Sequence, residues 1–405
     1  MYTGARLSVD AAAIAGNTRR IAARLDPAAP GGRAALLAVV KADGFGHGAA
    51  ALAALDAGAT WLGVTGIAEA LPLRWRGVAA PVLSWLNPLD APFDEALLHD
   101  IDLAVPSVEH LQAIRDAAVR TGRAARIHLH LDTGMARDGA SPALWSTLCE
   151  LAHLAEGAGQ VRVAGIMSHL ARADEPGDPE TTQQILLFRN ALRAARHRGL
   201  RPQVAHLAAT SAAVSDPRTH FGMVRIGAGL YGIDPTGTLT GADALRGAMT
   251  LTAPVVSVRD VGPGTGVGYG LRYRTERAGR LALVPLGYAD GIPRGLPAEA
   301  RVSVRGRRAP IAGTVSMDQL VLDVGDLGVE PGEVVTVFGP GDAGEPTLRE
   351  WAGWAGTIEH ELVTRIGPRV ARQTTGLESA RPELPEPTAP VPLHPGRGRT
   401  RGVAA

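Results

Sequence analysis

The sequence predicts an α/β protein in two parts, a closed (β/α)8 barrel of the TIM type followed by a β-rich domain. Two patterns predict it. Over about the first 230 residues, short apolar, β-branched runs alternate with longer amphipathic stretches, as in strands joined by crossover helices. From about residue 247 the runs take period two and are punctuated by glycine and proline. A chain of 405 residues with 45% hydrophobic content is long enough for two cores.

Eight strands are expected in the barrel: Leu36 to Val40, Trp61 to Thr65, Pro81 to Leu86, Ile101 to Val105, Arg126 to Leu131, Arg162 to Met167, Gln203 to Leu207 and Gly222 to Ile226. Helical patterns lie between them, including Ser107 to Thr121, which opens on a capping serine, Pro142 to Ala158 and Thr182 to Arg198. The β domain should hold strands at Val255 to Val261, Leu281 to Pro285, Arg301 to Val304, Leu320 to Val324 and Glu333 to Phe338, with a helix at Thr347 to Trp354. The expected division is a strand within residues 1–9 that joins the β domain, a barrel over 10–246, the β domain over 247–375 and an extended or disordered tail over 376–405, which carries six prolines.

The formal net charge of +1, from 41 basic and 40 acidic residues, excludes a basic patch for nucleic acid or an anionic membrane. No run approaches a membrane span, and residues 1 to 30 mix Asp10, Asn17, Arg19 and Arg20 into their apolar stretch, unlike a signal peptide. A soluble, cytoplasmic protein with a small-molecule partner is expected. The single cysteine, Cys149, rules out an internal disulfide and a cysteine-based zinc site, and it reads as a buried thiol.

Lys41 is the only lysine; every other basic side chain is arginine. Arginine keeps its proton in a protein, whereas lysine can act as an amine nucleophile and form a Schiff base. In a barrel, ligands sit at the carboxyl ends of the strands, with phosphate at the loops after the seventh and eighth. Lys41 ends the first strand, Asp132 and Arg137 follow the fifth, His169 the sixth, Ser211 the seventh and Gly227 the eighth. The groups able to do chemistry therefore converge on one rim.

The segment from Ala38 to Gly48, with Lys41 at a strand end and glycines after it, resembles the pyridoxal-phosphate attachment signature of the alanine racemase family. The same family is matched by the blocks from Asp132 to Arg137, Gly165 to Asp174, Val224 to Gly232, Val267 to Gly270, Gly287 to Gly291 and Ser316 to Gln319, in family order up to Arg372. The resemblance implies a cytosolic isomerase, a homodimer with shared active sites, and pyridoxal 5'-phosphate on Lys41. It implies two bases on opposite faces of the substrate, Lys41 and Tyr269 of the partner subunit. It further implies that His169 lies against the cofactor ring, that Arg225 faces its nitrogen, that Ser211, Gly227, Ala228 and His360 take the phosphate, and that Arg137 and Met317 meet the substrate. His130 and Asp318 are supporting residues. Tyrosine, with an ordinary pKa of about 10, needs nearby positive charge to act as a base, and Arg137 and His169 are expected to supply it.

Taken singly, each residue has a plainer reading: His169 as a core histidine, Arg225 paired with a structural carboxylate, Tyr269 as sheet packing, Asp290 and Asp318 as turn formers. Four positions depart from the family pattern. Phe45 and His360 stand at usual tyrosines, Thr210 at a usual asparagine, and His130 where many members carry a modified lysine, so that His130 or an anion must support Arg137. Two lost hydroxyls weaken phosphate binding by roughly 1.5 to 3 kcal/mol each. The expected reaction is interconversion of L- and D-alanine. The alternatives are a racemase for another amino acid, a lyase or decarboxylase on a related plan, and a cofactor-binding or degenerate homologue without turnover.

Overall fold

The structure, a computed structural model, describes residues 4–25 and 33–376. The expected proline-rich tail lies outside these but for Gly376. The chain opens with strand β1 (Arg6–Asp10), whose last residue caps the helix Ala11–Arg24 by accepting from Ala12 N at 2.9 Å and Ala13 N at 3.1 Å. That helix buries Asn17, which donates to Leu230 O and Arg246 O and fastens the helix to the chain leaving the barrel.

Eight parallel strands then close a barrel: β2 (Ala35–Val39), β3 (Trp61–Val64), β4 (Val82–Ser84), β5 (Ile101–Val105), β6 (Ala125–His130), β7 (Val161–Met167), β8 (Val204–His206) and β9 (Met223–Ile226), with β9 pairing back onto β2. Both faces of such strands are covered, which is why they are written as continuous apolar runs. All five residues of β5 are buried. The helix after β5 is capped by Ser107, whose hydroxyl accepts from His110 N at 3.3 Å.

The second part is built from β10 (Met249–Pro254), β11 (Ser257–Val261), β12 (Gly266–Val267), β13 (Tyr273–Arg274), β14 (Gly279–Val284), β15 (Arg301–Val304), β16 (Arg307–Pro310), β17 (Leu320–Gly325), β18 (Val334–Phe338) and β19 (Ala371–Thr375). One sheet runs β16-β15-β18-β10-β1-β19, so the first strand of the chain lies between the first and last strands of the second part. A three-stranded sheet, β11-β14-β17, and the ribbon β12-β13 complete it. Strands β10 and β17 alternate buried and half-buried residues, the period of a sheet with one covered face.

The expected strand Val255 to Val261 begins two residues early. Val255 N still donates to Glu333 O beside the larger sheet, whereas Val256 N donates to Leu283 O in the smaller one. The chain changes sheets there, and a period-two run cannot show which partner each residue meets. The short β12, β13 and β16, the exposed β19 and the helix Glu359–Thr364 were not expected. The helix Leu348–Ala355 was, and Thr347 and Glu350 form its capping box. No helix among the described residues is long and apolar enough to cross a membrane.

Candidate active site

Behind Lys41, at the carboxyl end of β2, the chain makes a left-handed turn. Ala42, Asp43, Gly44 and Phe45 have φ of 52°, 52°, 59° and 54°. Left-handed backbone costs a non-glycine residue about 1–2 kcal/mol, so the surroundings must hold the turn in place. Glu69 does this with both carboxylate oxygens, accepting from Ala42 N and from Thr65 N at 2.7 Å each. The Tyr231 hydroxyl donates to Val39 O at 3.0 Å, and Phe45 packs 4.9 Å from the Tyr231 ring. Burial and the charge of Arg137 lower the Lys41 pKa against the pull of Glu69, which raises the neutral fraction a nucleophilic amine needs. Neither Glu69 nor the turn was expected from the sequence.

Arg225, on β9, is buried with no carboxylate paired to it among the described residues. Its guanidinium donates to Ser168 O at 2.8 Å, His206 O at 3.0 Å and Leu207 O at 3.1 Å, and reaches His206 Nδ1 and His169 Nδ1, both at 3.1 Å. Arginine only donates, so both ring nitrogens accept. Burial first, then the charges of Arg225 and Arg137, push the His169 pKa down to about 3. His169 is therefore neutral, with its proton on Nε2. This corrects the expectation that His169 lends positive charge to a tyrosine base.

After β8 the helix Thr210–Ser215 begins, and after β9 the short turn Ala228–Tyr231. Gly227 N and Gly229 N already donate to Thr210 Oγ1 at 3.3 Å. Thr210 is thus a cap for this loop, and Gly227 N–H is not free as expected. Ser211 and the buried Ala228 adjoin it. A Cβ on Gly227 would stand 2.9 Å from Phe45 Cζ, which explains the glycine. His360 arrives from the second domain, its ring 5.9 Å from Phe45 and its buried Nδ1 without a hydrogen-bond partner among the described residues. Burial and the nearby Lys41 charge lower its pKa.

The loop that carries Arg137 is shaped by Asp132, whose Oδ1 accepts from Gly134 N and Met135 N at 2.9 Å and from Ala136 N at 3.2 Å. Arg137 is exposed and forms no ion pair among the described residues. His130 does not hydrogen-bond to it. Its Nδ1 lies 3.4 Å from Asp138 Oδ2 instead.

Tyr269 and Met317 lie on the second domain, 72% and 53% exposed, and Leu271 and Tyr288 are exposed there too. Within one chain no hydrogen bond joins Tyr269 to the Lys41 cluster. Gly287 packs on the backbone of Met317, where a Cβ would meet Met317 O at 2.2 Å. Asp290, fully buried, accepts from Gly287 N at 2.9 Å and from Arg369 Nε at 3.0 Å; Arg369 also donates to the exposed Asp318 at 2.7 Å. Both carboxylates thus hold the loops that carry Tyr288 and Met317.

Two family models match the chain: alanine racemase, N-terminal domain, over residues 9–235, and alanine racemase, C-terminal domain, over residues 248–374. The alanine racemase of Thermobifida fusca is 49% identical over 380 residues, covering 93% of this chain and 99% of that protein. That of Streptomyces coelicolor is 45% identical over 377 residues, covering 91% and 95%. Among solved structures, alanine racemase from D-cycloserine producing Streptomyces lavendulae superposes with a TM-score of 0.89 at 42% identity, over 93% of this chain and 98% of that one.

Proposed function

The chain belongs to the alanine racemase family, and from that premise we propose that it interconverts L- and D-alanine, with pyridoxal 5'-phosphate held on Lys41 and two bases, Lys41 and Tyr269 of the partner subunit, working on opposite faces of the substrate. The observation that carries this reading is the meeting of the one lysine, its amine pKa lowered, with a buried Arg225 that lacks a carboxylate and a neutral His169.

The residues present fit the cofactor. Lys41 supplies the amine; His169 offers a flat neutral ring; Arg225 presents positive charge to a ring nitrogen and cannot readily hand over a proton. Ser211, Ala228, the loop at Gly227 and His360, whose buried Nδ1 has no hydrogen-bond partner among the described residues, would hold the phosphate. When bound, pyridoxal phosphate delocalises the electron pair left at the α-carbon.

Lys41 Nζ removes or returns the α-proton on its own face, and its lowered pKa favours the neutral amine that accepts it. Arg137 receives the substrate carboxylate. The phenol of Tyr269 serves the other face. Since Tyr269 lies exposed on the second domain, a head-to-tail homodimer completes each site, and the exposure of Tyr269, Leu271, Tyr288 and Met317 on that domain supports such an interface. The proposal also places the enzyme in the cytoplasm, where a chain with a single, unpaired cysteine suits the reducing conditions.

Incubation with pyridoxal phosphate and single L-amino acids in deuterated water tests the reading. Chiral chromatography should show D-alanine, and mass spectrometry its α-deuteration. Turnover of serine or a larger amino acid in preference to alanine would overturn the substrate assignment, and neither signal with any amino acid would overturn the activity.

A further inference from the structure

Behind Arg225 the barrel interior is polar. His206 Nε2 lies 2.8 Å from His128 Nδ1, and His128 Nε2 lies 3.4 Å from Asp102 Oδ2, which also accepts from Arg126 Nη2 at 2.9 Å. With the contact of Arg225 Nη1 to His206 Nδ1 at 3.1 Å, this makes an unbroken chain of side chains. It starts at β9 on the carboxyl rim and passes through β8 and β6. It ends at the second residues of β5 and β6, near the opposite mouth of the barrel. His206, His128 and Asp102 are each 0% exposed.

The hydrogens along this chain have one consistent arrangement. Arg225 only donates, so His206 Nδ1 accepts and its proton sits on Nε2. That N–H donates to His128 Nδ1, which leaves the proton of His128 on Nε2, facing an acceptor-only carboxylate. A guanidinium at one end and a carboxylate at the other therefore set the tautomer of both rings between them. Burial, with the charge of Arg225, keeps the His206 pKa well below that of an ordinary histidine.

The barrel is built around this chain. A Cβ on Gly165 would stand 2.2 Å from His128 Nδ1, so only glycine admits the ring. The pairing of β6 with β7 slips register between Ile127 and His128, an irregularity of the kind that re-aims a side chain. Trp61 closes on the ring edge-on at 5.6 Å. Buried polar groups are costly where apolar ones would pack, and Asp102 Oδ1 is left without a partner among the described residues. Such an arrangement points to a role beyond packing.

We propose that Asp102 and His128 are positioning residues: acting through His206, they fix the orientation of Arg225 and so keep its charge aimed at the cofactor's ring nitrogen, which favours racemisation over transamination. This rests on the cofactor reading above. If His206 carried its proton on Nδ1, it would confront Arg225 donor to donor and turn the guanidinium away.

Full-length protein labelled with 15N in its histidine rings, with and without pyridoxal phosphate, reports the tautomers directly by NMR, the two rings being assigned from His128→Gln and His206→Gln. The expected result is Nε2–H on both rings in both samples. Asp102→Asn should give mixed tautomers, shift the absorption band of the added cofactor and raise the ratio of transamination to racemisation about tenfold, the scale seen when outer partners of a site are lost. Gly165→Ala, which keeps the carboxylate but displaces His128, should do the same, and Asp102→Glu should partly restore the wild-type ratio. A proton on His206 Nδ1 in the wild type overturns the proposal whether or not the variants fold. So does Asp102→Asn with unchanged ring signals and an unchanged ratio. Failure of the wild type to racemise alanine strikes instead at the underlying reading, because the tautomers are read without turnover.

Discussion

Arg225 Nη2 and His169 Nδ1 meet at 3.1 Å, and the cation, as the only donor of the pair, fixes the histidine as a neutral acceptor. The consequence extends to stability. His169, with a pKa near 3, and His47, held to about 4 mainly by burial, both stay neutral in the folded protein where an unfolded histidine takes a proton. Their contribution is complete above the unfolded value of about 6.5 and is lost as pH falls toward those folded values. Between about pH 6 and pH 4.5 each should lower the unfolding free energy by roughly 1.4 kcal/mol per pH unit. Urea titrations at a series of pH values should show this slope, and His169→Gln should flatten it by about one proton. An unchanged slope in that variant contradicts the assigned neutrality.

Glu69 is the clamp on the left-handed turn, so Glu69→Ala leaves two backbone N–H groups without their charged acceptor. A stability loss of about 3 kcal/mol is expected. The cofactor should also dissociate more readily, since the turn carries Lys41. Chemical denaturation and the recovery of absorbance after dialysis check the two effects separately.

Much of the barrel was legible because parallel, doubly covered strands write apolar runs between amphipathic helices, and the residues at their carboxyl ends follow from that alone. Glu69 was not, because an acid in the first turn of the helix Ile67–Trp75 looks like any solvated side chain until the fold turns it toward Ala42. Asp102 and His128 did leave a signal, a charge and an imidazole inside otherwise apolar runs, but a run alone does not show that two such residues on neighbouring strands meet inside the barrel. His130 reads naturally as a partner for Arg137 by its place at the end of β6, yet the loop returns Asp138 to it first.

Gly46 joins the two domains at the site. Its φ is +77°, and a Cβ there would stand 2.4 Å from Val363 O, in the helix that carries His360. Gly46→Ala should push that helix away from Phe45 and weaken cofactor binding at least about tenfold, from loss of a charged hydrogen bond at the phosphate. The barrel itself should keep its circular dichroism. Fluorescence titration with pyridoxal phosphate reads the change.

Tyr269 gives the sharpest test of a shared site. Lys41→Arg and Tyr269→Phe should each be nearly inactive alone, with losses of about 10²-fold or more for removing an acid–base group. In a homodimer whose sites take Lys41 from one chain and Tyr269 from the other, a mixed dimer has one site with both lesions and one with neither. Unfolding and refolding the two variants together at equal concentration should therefore restore about a quarter of wild-type activity, since half the dimers are mixed and each has one intact site of two. If each site used both residues from its own chain, no mixing would produce an intact site and activity would stay at the level of the separate variants.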